Sequence, residues 1–291
     1  MPALTIAMPV FNDVDFIEAA LKSLLKQTFG DFVLIISDDG STDGSKGICE
    51  KYAALDKRIT YIRQPKNLGI SHNMNFLLGK AITEFFMWAA DDDEWAPDFI
   101  ETLITNLKKH PDAVSSFCTF AVINEKGEQT SGELNFDYTN NDRVERLKHF
   151  IANSNDSFGY GIFRTEKIKG AEFPVWWWPN KRTAYNNIYP ALCYYLAQGN
   201  YVQATGEALF WNRFKSEKKI NHKLPYAEDG LRETLAFAIR RFNLITFSTK
   251  LIRKAGGLEL ALKIYPTLFK KWFLVPAWYK LKHYFAVKAK R

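Results

Sequence analysis

The chain has few cysteines and no apolar run long enough to cross a membrane. Its three cysteines, Cys49, Cys118 and Cys193, are far apart and odd in number, which argues against a disulfide framework or a cysteine metal site and suits a reducing compartment. No uncharged apolar stretch reaches the roughly 18 residues of a membrane-spanning helix. A strand pattern begins almost at the first residue, so we expect no signal peptide. These absences predict a cytoplasmic protein.

Apolar residues are abundant, and basic residues are concentrated at one end. Hydrophobic residues make up 47% and aromatic residues 15% of the 291 residues. This composition excludes a disordered or collagen-like chain and allows one large domain or two smaller ones. The net charge is +7, yet eleven basic residues and one acidic residue lie from residue 250 onward. The basic character therefore belongs to the C-terminal segment, and the remainder of the chain is slightly acidic.

Strand and helix patterns alternate four times in roughly the first 110 residues. The strand-like runs are residues 4–8, 32–36, 59–63 and 85–90. Apolar residues at helical spacing follow each run, so the alternation predicts an open, mostly parallel α/β sheet. Such sheets bind ligands beyond the carboxyl ends of their strands. The polar residues 9–13, 38–43 and 91–93 are all expected at that edge.

Three adjacent acids, Asp91, Asp92 and Asp93, follow the fourth strand-like run. Carboxylates at the end of a buried strand repel one another and lose solvation, so a compensating charge is expected. A divalent cation held by oxygen ligands would supply it; the alternative is an acidic turn that complements the helix predicted from Pro97. The sequence contains no glycine-rich phosphate loop. A nucleotide at this edge would therefore be held by acids, main chain and metal.

Four segments resemble the nucleotide-sugar half of family 2 glycosyltransferases, which have the GT-A fold. They are TIAMPVFN at residues 5–12, LLKQT at 24–28, SDDGSTDG at 37–44 and NLGIS at 67–71. They occur in the family's order and at its usual spacing. The resemblance implies a GT-A-type, mostly parallel open α/β sheet flanked by helices, with a basic helical extension at the C-terminus.

By this resemblance residues 1–112 are the nucleotide-sugar-binding half, 113–226 the acceptor-binding half of the same domain and 227–291 a basic amphipathic helical tail. The tail interleaves its charges with tryptophan and tyrosine, which is typical of helices that lie on anionic membranes. The alternative is a solvated helix packed on the body. No nucleic-acid motif accompanies the charge, so no nucleic-acid partner is expected.

The resemblance also implies roles for single residues of the donor half. Pro9, Phe11 and Asp13 should line the nucleoside pocket, with Phe11 near the base. Asp39 should accept the N3–H of the base, which fits uracil or thymine better than adenine. Asp91 should face the ribose and the sugar. From the residues alone, Asn12 or Asp13 is also a candidate helix N-cap.

Asp92 and Asp93 are the predicted metal ligands, with Asp92 the first choice, and oxygen ligands fit Mn²⁺ or Mg²⁺. Many family members have an acid where Ala90 stands, so the usual acid-x-acid pattern is displaced here into a run of three. This displacement leaves the choice of the metal-binding pair open. Arg213 resembles the family's late basic position, where it would reach the diphosphate or form a surface salt bridge.

The acceptor half departs from the family pattern. Trp176 and Trp177 belong to a run of three tryptophans between prolines, which predicts either a floor for an acceptor sugar or lipid carrier or a packed loop. Inverting members usually carry an acid at the start of the acceptor-side helix, whereas residues 185–190 contain no carboxylate. Asparagine is no base near neutral pH. Asp156 is therefore the candidate base, unless catalysis is weak or absent.

The sequence thus predicts a metal-dependent inverting glycosyltransferase. It would move a sugar from a nucleotide diphosphate, in particular a UDP-sugar, to a hydroxyl of a saccharide or lipid-linked saccharide. The alternative is a catalytically impaired nucleotide-sugar-binding protein of the same fold. The predicted location is the cytoplasm, at the inner face of the cell membrane if the tail binds an anionic membrane surface.

Overall fold

The computed structural model describes residues 1–134, 136–175, 188–215 and 231–275, with the backbone alone over residues 231–237. The strands are β1 (Leu4–Val10), β2 (Phe32–Asp38), β3 (Ile59–Arg63), β4 (Phe85–Trp88), β5 (Glu94–Trp95), β6 (Ala113–Cys118), β7 (Phe120–Ile123), β8 (Ile162–Arg164), β9 (Asn200–Ala204) and β10 (Phe210–Arg213). The helices are α1 (Ile17–Leu25), α2 (Ser45–Leu55), α3 (Ile70–Gly79), α4 (Phe99–Lys109), α5 (Arg143–Asn153), α6 (Thr165–Ile168), α7 (Tyr189–Ala197) and α8 (Leu231–Phe269), with a 3₁₀ turn at Ser157–Tyr160 and a π-helical turn at Lys270–Leu274.

Seven strands form the central sheet in the order β3-β2-β1-β4-β8-β6-β9. Their pairings are parallel except for those of β8, which runs antiparallel to β4 and β6. The predicted open, mostly parallel sheet is therefore confirmed. A second sheet has the order β5-β10-β7. It joins the segment that follows the acidic triplet to a strand far along the chain.

Helices cover both faces of the central sheet, which explains the continuous apolar runs in its strands. Successive residues of β1 point to opposite faces, as strand geometry requires. Leu4, Ile6 and Met8 belong to the apolar cluster that contains residues of α1 and α4, whereas Ala7 belongs to the cluster that contains residues of α3, α7 and α8. The sheet therefore separates two cores, and its strand ends remain the accessible edge.

β1 continues through Pro9 to Val10, beyond the predicted end at Met8. Pro9 pairs with Ser37 of β2, but β4 pairs with β1 only as far as Ala7 and Trp88. A strand tolerates proline where that side of its backbone has no partner strand, and Pro9 meets this condition because β4 has already ended. The early end of β4 therefore opens a gap beside Pro9 at the carboxyl edge of the sheet.

The C-terminal part of the described chain is helical, as predicted, but it is bent. At Gly257 the backbone has φ 85° and ψ 175°, a conformation that glycine adopts without a Cβ clash, so two helical segments meet there. Leu244, Ile245 and Leu251 of α8 are buried in the same cluster as the residues of α7. No helix in the described ranges is both long and apolar enough to span a bilayer.

Candidate functional site

The carboxyl ends of β1, β2 and β4 meet at one edge of the sheet, as predicted. Pro9 and Phe11 come from the β1 end, Asp39 follows β2, and Asp91 follows β4. With α3 and the 3₁₀ turn they enclose a cavity of about 350 Å³. Its lining residues are Pro9, Val10, Phe11, Asp39, Asn67, Gly69, Ile70, Asn73, Met74, Trp88, Ala89, Ala90, Asp91, Tyr160 and Ile188. Four of the predicted substrate-binding residues therefore lie together.

Hydrogen bonds between loops hold this edge in shape. The N–H of Asn12 donates to Ser41 Oγ at 3.0 Å, and Asn12 Oδ1 accepts the N–H of Thr42 at 2.8 Å. Asn12 has φ 54°, in the left-handed region that asparagine tolerates better than most residues. These contacts fix the loop after β1 against the loop after β2. They leave Phe11, which is 46% exposed, at the cavity wall.

Asp13 does not cap α1, so the N-cap interpretation is wrong. The main-chain oxygen of Asp13 accepts the N–H groups of Phe16 and Ile17 at 3.2 and 3.1 Å, and no side chain caps the helix. The backbone turn alone therefore starts α1. The Asp13 carboxylate is directed instead toward the acids that follow β4.

Asp39 shapes the cavity by holding the loop between β3 and α3. Its Oδ1 and Oδ2 accept the N–H groups of Leu68 and Gly69, each at 2.8 Å. The residue is buried. A carboxylate oxygen accepts up to two hydrogen bonds, so these two contacts leave Asp39 with acceptor capacity for a ligand.

Asp13, Asp91 and Asp92 form a group of three carboxylates with one oxygen of each within 4.8 Å of the others. Burial raises the pKa of Asp13 despite a neighbouring ammonium group. Burial raises the pKa of Asp91 well above its usual range, and the charges of Asp13 and Asp92 raise it further. Three oxygen donors this close fit a divalent cation such as Mg²⁺ or Mn²⁺, since it would relieve their repulsion.

Lys215 is a part of this site that the sequence reasoning missed. Its Nζ lies 2.7 Å from Asp13 Oδ2 and 2.8 Å from Asp92 Oδ2. Burial lowers the pKa of Lys215, but the hydrogen bonds to the two carboxylates outweigh it and leave the pKa raised. One signal was available, because side chains two positions apart share a strand face and Lys215 is two positions beyond Arg213.

Asp93 lies outside the group of three, which corrects its predicted role as a metal ligand. Its Oδ1 accepts the N–H of Arg213 at 2.8 Å and the side-chain amide of Asn212 at 3.1 Å. Burial raises the pKa of Asp93 to about 7, and the charge of Asp92 adds to the shift. The carboxylate of Asp93 thus ties the loop after β4 to β10.

Arg213 is buried, and its guanidinium is used within the protein. It donates to the main-chain oxygens of Asp92 and Asn124 at 2.8 and 2.7 Å and to the carboxylate of Glu94. The guanidinium also lies 5.0 Å from the centre of the Phe16 ring. Arg213 thus forms an ion pair, as the alternative interpretation predicted, but the pair is largely buried. Its other two arms bind the main chain after β4 and after β7, and the contact with a diphosphate stays a prediction.

Asp156 immediately precedes the 3₁₀ turn that carries Tyr160 into the cavity wall. Its side chain reaches solvent, while the surrounding protein desolvates the carboxyl group and raises its pKa. Burial raises the pKa of Tyr160 well above its usual range, and the negative charge of Asp156 is the next contribution. Asp156 therefore lies near Tyr160, which lines the cavity. Trp176 and Trp177 and residues 185–187 lie outside the described residues.

The comparisons with known proteins agree with this geometry. The family model described as glycosyl transferase family 2 matches residues 5–170. A GalNAc(5)-diNAcBac-PP-undecaprenol beta-1,3-glucosyltransferase from Campylobacter jejuni is 27% identical over 197 residues, which are 67% of this chain and 62% of that protein. The chain spans 62% of the length of that relative and 14% of a Staphylococcus epidermidis teichoic acid poly(glycerol phosphate) polymerase to which it is 39% identical over 97 residues.

Two solved structures share the fold. S. aureus TarS 1-349 in complex with UDP-GlcNAc superposes with a TM-score of 0.63 at 17% identity, over 89% of this chain and 69% of that one. The mannosyltransferase PcManGT from Pyrobaculum calidifontis, in complex with GDP-Man and Mn²⁺, gives a TM-score of 0.51 at 15% identity, over 99% and 86% of the two chains. These likenesses confirm the GT-A-type architecture.

The buried Asp93 predicts a pH dependence of stability. Its pKa rises from 3.8 to about 7 on folding, so its contribution to stability is complete below about pH 4 and is lost as the pH rises through 7. Asp93→Asn keeps the acceptor oxygen and carries no charge. Between pH 4 and 7.5, the free energy of unfolding of the wild type should fall by about 2–4 kcal/mol relative to the variant.

Urea unfolding at a series of pH values, in a buffer with a chelator, measures this difference. Asp31→Asn, at an exposed carboxylate, is the matched control and should keep the wild-type pH profile. An identical pH dependence in Asp93→Asn and the wild type would show that this carboxyl group does not titrate on folding as described.

Proposed function

The chain belongs to glycosyl transferase family 2, and we propose that it transfers a sugar from a UDP-sugar to a hydroxyl group of a saccharide or lipid-linked saccharide. The observation that carries this proposal is the cavity at the ends of β1, β2 and β4, with the carboxylates of Asp13, Asp91 and Asp92 beside it. Ligands of open α/β sheets bind at such an edge. TarS, which has this fold, was solved with UDP and with UDP-GlcNAc.

The donor would enter with its base between Pro9, Phe11 and Asp39. Phe11 offers an exposed aromatic face, and Asp39 has acceptor capacity beyond its contacts to Leu68 and Gly69. A carboxylate there favours a base that presents an N–H, as uracil does at N3. Asp91 lines the cavity next to Ala90, in a position to accept hydroxyl groups of the ribose or sugar. This arrangement supports a uracil or thymine nucleotide over an adenine nucleotide.

A divalent cation, Mn²⁺ or Mg²⁺, would be held by Asp91 and Asp92 together with Asp13, in place of the predicted pair Asp92 and Asp93. When bound, such a cation acts as a Lewis acid that offsets the charge growing on the leaving diphosphate. The three carboxylates supply the hard oxygen donors that this requires. The carboxylates would also orient the donor by accepting hydrogen bonds from its hydroxyl groups.

The acceptor hydroxyl would attack the anomeric carbon from the side of Asp156. Its oxygen forms the new glycosidic bond, its proton passes to the Asp156 carboxylate, and the bond between the anomeric carbon and the diphosphate breaks with its electron pair on UDP. A single in-line displacement of this kind inverts the anomeric carbon. Desolvation raises the pKa of Asp156, which makes its carboxylate a stronger base than a fully solvated one.

A lipid-linked saccharide is the acceptor class that we favour. The Campylobacter jejuni relative is named for its action on an undecaprenol-linked saccharide. Trp176 and Trp177, outside the described residues, would supply an apolar floor for such an acceptor. A lipid-linked acceptor also gives a reason for the chain to work at an anionic membrane surface.

Peripheral membrane binding is supported by an exposed apolar face on α8. Leu258 and Leu262 are 56 and 64% exposed, and with Tyr265 they recur at helical spacing on one side of the helix. Lys263 and Lys270 are exposed on the same helical segment. Apolar side chains beside lysines suit an interface with anionic lipid.

Nucleotide binding tests the donor site. We expect calorimetry to show that UDP binds more tightly than GDP or dTDP, and more tightly with Mn²⁺ than with a chelator. Asp92→Asn should weaken Mn²⁺-dependent UDP binding by about tenfold or more, because it removes one charged oxygen ligand. Asp31→Asn should leave it unchanged. If no nucleotide diphosphate binds, the transferase proposal is wrong. If UDP binds equally well without metal, only the proposed metal dependence is wrong.

Turnover tests Asp156. With a UDP-sugar and simple saccharides or water as acceptors, Asp156→Asn should lower kcat by about 10²–10⁴-fold, the usual contribution of a general base, and leave UDP affinity unchanged. Asp98→Asn, at an exposed carboxylate, serves as the control. An unchanged kcat would place the base elsewhere. A wild type that binds UDP-sugars but never releases UDP would instead favour the alternative of a catalytically impaired nucleotide-sugar-binding protein.

Vesicle flotation tests the membrane proposal. The full chain should float with vesicles that contain anionic lipid and remain below with neutral ones. Leu258→Ser with Leu262→Ser should reduce flotation several-fold. Leu55→Ser with Ile82→Ser removes two side chains of the body that are even more exposed, 73 and 72%, and should have no effect. Equal flotation of both double variants would count against this face.

A further inference from the structure

The ammonium group of Lys215 lies between two carboxylates of the acidic group. Its Nζ is 2.7 Å from Asp13 Oδ2 and 2.8 Å from Asp92 Oδ2, so it donates a charge-assisted hydrogen bond to each. Nζ also lies 5.1 Å from the centre of the Phe16 ring, and an aromatic face attracts a cation at this range. Three contacts from two segments of the chain therefore define the position of this charge.

The backbone also fixes the root of the Lys215 side chain. Arg213 ends β10 and pairs with Ile123 of β7. The N–H of Phe214 then donates to the main-chain oxygen of Ile123 at 2.8 Å, which continues this pairing by one residue. Lys215 thus leaves the sheet at a set point, and its side chain is only 26% exposed. The register of β10 on β7 therefore determines where Lys215 meets the acids.

A divalent cation and the Lys215 ammonium would compete for the same oxygens. Oxygen ligands hold Mg²⁺ at about 2.0–2.1 Å. Because Nζ lies 2.7 and 2.8 Å from the two Oδ2 atoms, a cation bound to either atom would lie within about 5 Å of Nζ. Two positive charges at that distance in a half-buried site repel each other strongly. One of them has to move when the other binds.

We propose that Lys215 is the internal counter-ion of the acidic group and that it competes with the divalent cation for Asp13 and Asp92. This inference rests on the proposed metal-dependent function. In the metal-free chain Lys215 relieves the repulsion among the carboxylates. A cation binds weakly alone, because it has to displace Lys215. It binds well together with a nucleotide diphosphate, whose phosphates add ligands and negative charge.

Titration of the full chain with Mn²⁺, with free Mn²⁺ measured by electron paramagnetic resonance, tests the competition. Without nucleotide, Lys215→Met should bind Mn²⁺ at least about tenfold more tightly than the wild type, because a nearby positive charge is gone. Lys215→Arg keeps the charge and Lys126→Met removes an exposed lysine of the β7 hairpin; both should resemble the wild type. Equal or weaker binding by Lys215→Met would overturn the proposal.

Saturating UDP should reduce the difference in Mn²⁺ affinity between Lys215→Met and the wild type. The diphosphate favours the state in which the cation has displaced Lys215. If no variant binds Mn²⁺ even with UDP, the competition is overturned. UDP calorimetry in the presence of a chelator then shows separately whether the donor site itself survives.

A second measurement uses the wild type alone and does not depend on the folding of a variant. Reductive methylation followed by mass spectrometry reports the reactivity of each lysine. Addition of Mn²⁺ should increase labelling of Lys215, because its ammonium leaves the two carboxylates, and should leave Lys126 unchanged. Labelling of Lys215 that stays constant or falls when Mn²⁺ is bound would contradict the displacement.

Discussion

Four carboxylates crowd the edge of the sheet where β1 and β4 end, and the rest of the site depends on how their repulsion is offset. Asp91 and Asp93 are desolvated enough for burial to raise the pKa of each. Like charges in a partly dry site favour protonation or the approach of cations. The fold supplies cations and N–H donors that offset this repulsion.

Most of this compensation comes from one short strand. β10 carries Asn212 and Arg213, which donate to the carboxylate of Asp93, and it leads directly to Lys215 between Asp13 and Asp92. The guanidinium of Arg213 donates a hydrogen bond to the main-chain oxygen of Asp92. The antiparallel pairing of β10 with β5 makes these contacts possible. The second sheet, β5-β10-β7, therefore holds the acidic loop after β4 in position.

Different residues at this edge of the sheet serve different parts of the proposed reaction. Asp39 holds the loop before α3 through Leu68 and Gly69 and lines the cavity proposed for the nucleoside. The 3₁₀ turn brings Tyr160 to the same cavity, and Asp156 immediately precedes that turn. In the proposed reaction the donor would lie in this cavity with its anomeric carbon toward Asp156.

Short-range patterns in the sequence were sufficient to predict the elements of roughly the first 110 residues. The apolar runs and helical spacing predicted β1 to β4 and the helices between them, because side-chain periodicity is a local property of the chain. The turn-rich segments after β1 and β2 predicted which loops would meet, since parallel strands end at a common edge. The family resemblance added the prediction that a nucleotide-sugar binds at that edge. These features need no knowledge of what packs against them.

The partners of the acids depended on tertiary structure. Asp93 meets the backbone of Arg213 across 120 positions, and Lys215 meets Asp13 across 202 positions. The antiparallel register of β10 on β5 decides these contacts, and no local pattern records a register over such distances. The sequence predicted Asp93 and Arg213 as separate ligands, and it did not show that they contact each other. Lys215 went unnoticed because its importance lies entirely in what it touches.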